Sequence, residues 1–237
     1  MTRDAAPSSA ATRPAASAQS LDERIALGRA RVESFFAKRF PRDFEVRTFA
    51  RRSELDEFAA ARWKMHKTEC WMVAMGVAST FVLLSPDCWR SDACEHNPAD
   101  EQHVQQIVTH ELTHVFHGQH NPQPEFDGLD DVGWFVEGLA VVVSGQLDEH
   151  RRAQAREAAQ RGEPARLADA WSGPARYAVS GSLVEFVDRR VGRAKTRELL
   201  ACTTPQQILS IVGLDEAALL STWRASVTSA ESSRGSR

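Results

Sequence analysis

The sequence predicts an α+β fold: a small N-terminal sheet with one long helix against it, then a mainly helical C-terminal half. Three observations lead there. The short apolar or alternating stretches bounded by turn residues, FEVRTFA at 44–50 and WMVAMGVAS with TFVLLS at 71–85, fall in the first half. Helical periodicity dominates from Asp100 onward. Gly162, Gly173, Gly192, Pro205 and Gly213 then cut the second half into helix-length pieces. Strands followed by helices, rather than strict alternation, argue α+β.

Each element has a local cause. Residues 1–20 are small, polar and proline-containing, and read as a disordered tail without the apolar core of a secretory leader. Residues 21–40 carry helical spacing and stop before Pro41. Residues 44–50 alternate as a strand, and Ser53 caps a helix running to about His66. Residues 71–85 form one or two buried strands. After a loop through SPDCWRSDACEHNPAD, Asp100 is the N-cap of a helix that contains VTHELTHVFHGQH. NPQPEFDGLDD is a loop, Val132 to Gly145 is a second, apolar helix, and helices continue to Trp223. The domain therefore spans 21–225, with a Ser-rich frayed tail at 226–237.

The totals narrow the function classes. The 237 residues, 42% hydrophobic and 26% charged, suit a single soluble domain with a sizeable core. A net charge of −3 gives no electrostatic footprint for nucleic acid or an anionic membrane. No apolar run approaches the ~20 residues of a membrane span. The chain reads as cytoplasmic, and its oligomeric state is not legible. Of four cysteines, Cys88 and Cys94 flank one loop and can pair under oxidising conditions; with His96 they also make a possible, poorly spaced zinc knuckle.

The chemistry-bearing stretch is HELTH, in a segment that holds four of the eight histidines. His110 and His114 are four apart, so on a helix they share one face and can reach one ion. Glu111, directly after the first histidine, can stand beside the metal without ligating it. That is the H-E-x-x-H pattern of zinc peptidases, with the glutamate as general base. The bland alternative is a solvated helix face. Val104, Ile107, Val108, Leu112, Val115 and Phe116 recur at helical spacing and make this a buried helix instead. Buried, unpartnered imidazoles are costly, and a metal supplies the partner.

A catalytic zinc takes three protein ligands and leaves one position for water. Two residues compete for the third place. His120 sits where a metzincin histidine would, but the pattern's glycine position holds His117, and every methionine lies upstream, so there is no Met-turn. Glu137 is a lone carboxylate in the apolar GWFVEGLAVVVSG helix, and a cation would remove the cost of burying it.

HELTH followed by WFVEGLA resembles gluzincin-type zinc metallopeptidases of the peptidase-MA-like group. The resemblance spans about residues 44–201 and is specific at those two motifs. It implies that His110, His114 and Glu137 bind one Zn2+ per chain, that Glu111 is the base, and that the substrate is a peptide or protein. It also implies a tyrosine near the site, which carries over to Tyr177 in YAVSGSLVEFVDRRV as a donor to the developing oxyanion. An edge strand at TFVLLS would hold extended substrate by backbone pairing. One departure is Val141, where thermolysin-like members carry an acidic residue that supports a ligand histidine, so the outer partners of His110 and His114 must come from elsewhere. His117 and His120 otherwise read as helix C-terminal residues where positive charge is favoured. The alternative to a peptidase is an inactive zinc-binding scaffold of the same fold.

Overall fold

The computed structural model describes residues 19–229. Nearly all of the expected N-terminal tail, residues 1–18, and the end of the C-terminal one, 230–237, lie outside them. The fold is mixed α+β, built from ten helices and one three-stranded sheet among the described residues. In chain order these are α1 (Leu21–Phe36), β1 (Glu45–Phe49), α2 (Arg52–Trp63), β2 (Ala74–Val77), β3 (Thr80–Leu84), α3 (Trp89–Asp92), α4 (Glu101–His120), α5 (Gly133–Ser144), α6 (Glu149–Gln160), α7 (Arg176–Val191), α8 (Arg193–Leu199), α9 (Pro205–Val212) and α10 (Glu216–Ser229).

The local rules explain most boundaries. Ser20 and Glu23 form a capping box at the start of α1, so this serine belongs to the fold and not to the tail. The helix ends at Phe36 rather than Phe40: Ala37 turns left-handed, and Phe40 folds back onto the Phe116 ring at 5.1 Å. Ser53 is not a cap. Helix α2 begins one residue earlier, and the Arg52 amide donates instead to Asp92 Oδ2 at 3.1 Å, across 40 residues of chain. Asp100 does cap α4, its side chain accepting from the His103 amide at 3.0 Å. At the far end α10 runs through Ser226, whose hydroxyl donates to Trp223 O at 2.8 Å, so fraying does not begin there.

The sheet order is β1-β3-β2, with β1 parallel and β2 antiparallel to β3. The five residues of β3 are all buried. TFVLLS is therefore the central strand and not an edge; the edge beside the long helix is β2. Gly76 sets that closeness. A Cβ on it would meet the Glu111 carbonyl oxygen at 2.2 Å, so only glycine lets α4 lie this near β2. Gly138 plays the same part where α5 crosses α7, a Cβ there meeting Ser180 O at 2.3 Å. Helices α4, α5 and α7, with α1 across the back of α4, thus enclose a continuous core in which Leu112, Phe116, Leu139 and Leu183 are wholly buried.

The cysteines pair differently from the local expectation. Cys70 and Cys94 form the disulfide, 24 residues apart, while Cys88 is free and donates to Ser85 O at 3.0 Å. This removes the zinc knuckle as well, since the Cys94 sulfur is bonded and His96 sits between Trp71 O and His103. The disulfide closes the segment before β2, which Arg52 also ties down by donating to Thr68 Oγ1 and to three backbone carbonyls. No helix among the described residues is long and apolar enough to cross a membrane.

Candidate metal centre

Helix α4 puts His110 and His114 on one face, their ring centroids 4.8 Å apart. Helix α5 brings Glu137 in front of them. Its Oε2 lies 3.2 Å from His110 Nε2 and 3.6 Å from His114 Nε2. One ligand atom from each of the three residues falls within 4.8 Å of the others. Two ligands at zinc's usual bond length and tetrahedral angle are about 3.3 Å apart, so the spacing suits one such ion. The imidazoles are buried, whereas a quarter of the Glu137 side chain faces the cleft.

Hydrogen bonding gives a second, independent fit. His110 faces an acceptor from each ring nitrogen: Nδ1 meets Gln146 Oε1 at 2.8 Å and Nε2 meets the Glu137 carboxylate. A neutral imidazole has one N–H to give. If Nδ1 donates to Gln146, the bare Nε2 lone pair confronts a carboxylate, and a cation between them resolves the conflict. The Glu137 charge fits that environment. Desolvation alone would raise its pKa, but the two imidazoles in front of it hold it well below the usual carboxylate range, as a cation in their place also would.

Gln146 is the partner of His110 that the motif did not disclose. Helix α5 ends at Gly145 in the left-handed conformation, and the Gln146 amide returns to Val141 O at 3.0 Å. That turn carries Gln146 back over α4. The sequence signal was slight: a glutamine just after a helix-ending glycine. We expect Gln146→Ala to weaken zinc binding about 10- to 100-fold, measured by competition with a chromophoric chelator. An unchanged constant would mean that Gln146 does not orient His110. His114 Nδ1 has no hydrogen-bond partner among the described residues.

Glu111 and Tyr177 line the same cleft, of about 880 Å3, together with β2 and the loop from Glu125 to Asp130. Burial pushes the Glu111 carboxyl up to about 7; the nearby Glu137 charge adds to this, while His110 and the Gly76 amide pull it down. The Tyr177 ring is 6.3 Å from that of His110. Desolvation, reinforced by Glu137 and Glu111, raises its phenol above the usual value, so its O–H remains a donor.

The other two histidines of the stretch stay outside the cluster. His117 is buried edge-on against Phe126 and Phe135, with centroids at 5.1 and 5.8 Å, the latter on the Glu137 helix. Burial, with His114 adding to it, lowers its pKa to about 3. His120 packs on Phe116 and its Nδ1 donates to Phe116 O at 2.8 Å; desolvation lowers its pKa too. Burial shifts both against the direction in which a helix C-terminus would act.

No protein-family model, curated protein or solved structure matches this chain.

Proposed function

We propose that the protein is a zinc-dependent peptidase. The observation that carries this is the convergence of His110, His114 and Glu137 from two helices, with Glu111 beside them in an open cleft. His110, His114 and Glu137 would hold the ion. A bound zinc supplies Lewis acidity, lowering the pKa of water towards about 7 and polarising a carbonyl. Glu111 takes a proton from the attacking water and returns it to the leaving amine. The Tyr177 hydroxyl donates towards the oxygen on which negative charge develops. Edge strand β2 lines the cleft and offers its free side to an extended peptide. Gly76 keeps that strand against Glu111.

The Cys70–Cys94 bond weighs against the cytoplasmic expectation, because such bonds persist mainly in oxidising compartments.

Purified protein is expected to carry about one zinc per chain, the one vacant position of a three-ligand site serving catalysis. It should cleave members of a broad peptide library, and a chelator should stop cleavage until zinc is restored. Zinc at full occupancy without any cleavage would favour the inactive scaffold instead.

A further inference from the structure

Behind Glu111 and Tyr177 the cleft continues into a smaller cavity of about 230 Å3, and two half-buried arginines, Arg151 and Arg176, line it. Neither is paired with a carboxylate among the described residues. We infer that Arg151 and Arg176 form a receptor for a carboxylate of the substrate, either a peptide C-terminus or an acidic side chain, next to the hydrolytic centre. The inference rests on the peptidase reading.

Both guanidinium groups are held in place without being neutralised. Arg151 Nη1 donates to Gln146 O at 2.6 Å, the residue whose side chain meets His110. Arg176 sits among three rings, its Cζ 5.4 Å from Trp71, 5.5 Å from Trp171 and 5.2 Å from Tyr177. Arg151 lies on the same tyrosine, at 5.9 Å. A guanidinium has five N–H donors; the bond from Arg151 to Gln146 O and the one from Arg176 to the Tyr177 oxygen leave the others for a carboxylate.

The other charged groups around the cavity do not satisfy them. Asp148 caps α6, its Oδ1 accepting from the Arg151 amide at 2.8 Å. Glu95 is exposed at the rim, Glu111 is shared with the cleft and Glu137 lies with His110 and His114; none of the three forms an ion pair with either arginine among the described residues. His96 and His103, also in the lining, are engaged with each other at 2.8 Å and with Trp71 O. Desolvation lowers the Arg151 pKa, and the nearby Asp148 charge offsets this only in part. A substrate carboxylate completes the set. Because the cavity shares His110, Glu111 and Tyr177 with the cleft, a carboxylate held there lies close to the scissile bond.

The test measures binding to full-length Glu111→Gln in the presence of zinc, by tryptophan fluorescence. Two pairs of blocked alanine tetrapeptides serve as probes. One pair differs in a terminal carboxylate or carboxamide; the other, amidated, differs in an internal glutamate or glutamine. At least one carboxylate peptide should bind about 10-fold or more tighter than its neutral twin. The pair that shows the preference identifies the source. Arg151→Gln and Arg176→Gln should each collapse that ratio. Equal affinities within both pairs, no binding of any probe, a ratio that survives both substitutions, or an equal weakening of both members would overturn the receptor. Cleavage by the wild-type protein is scored separately. A carboxylate preference without hydrolysis sinks the peptidase reading and leaves the receptor standing; hydrolysis with no preference does the reverse.

Discussion

Glu111→Gln is expected to lose turnover by about 10^2- to 10^4-fold, the usual contribution of a general base, while zinc content and fold stay as in the wild type. The substitution isolates the proton transfer. Glutamine has nearly the volume of glutamate and keeps an oxygen to accept from the Gly76 amide, which borders Glu111 across the close contact of β2 and α4. It cannot take a proton from water at neutral pH. The metal group does not include Glu111, so occupancy should not move. Peptide cleavage and metal analysis on the same preparation check both halves. A mutant that cleaves at the wild-type rate would mean that some other group accepts the proton, and the mechanism would fail.

The second large effect separates the two candidates for the third ligand. Glu137→Ala should weaken zinc binding by more than the about 100-fold that loss of an outer partner brings, whereas His120→Ala should leave it unchanged. The contrast follows from where the side chains sit. Glu137 Oε2 is within 3.6 Å of both imidazole Nε2 atoms. His120 is turned the other way, its ring on Phe116 at 4.3 Å and its Nδ1 spent on that residue's carbonyl. Removing Glu137 also leaves His110 and His114 facing an uncharged hole, where a dication would lose its only anionic ligand. Retention of zinc by Glu137→Ala together with its loss from His120→Ala would reverse the assignment.

Much of this centre was legible because its signals are local. A four-residue spacing fixes two histidines on one helix face, and a single acid in an apolar helix demands a partner. Both cues act within a turn or two of chain, and the structure brings all three side chains together. Capping at Asp100 and the glycine and proline breaks of the second half were readable for the same reason. What the sequence did not disclose is long-range. Gln146 reaches His110 across 36 residues, and its role depends on how α5 ends over α4. Cys70 and Cys94 meet where Arg52 bonds both segments, at Cys70 O and at Asp92, a proximity that cysteine spacing does not disclose. The strand order is likewise a packing outcome: TFVLLS and AMGV are both apolar, and nothing in their periodicity says which is central. Arg151 and Arg176 belong to no motif, and only the fold brings them to line one cavity.

The ligand set itself is open to direct inspection by X-ray absorption at the zinc edge of the loaded wild-type protein. The expected spectrum has a shell of nitrogen and oxygen at about 2.0–2.2 Å, with the multiple scattering of two imidazoles and no sulfur. A shell containing sulfur at about 2.3 Å, three imidazoles, or a protein that takes up no zinc would contradict the centre described above.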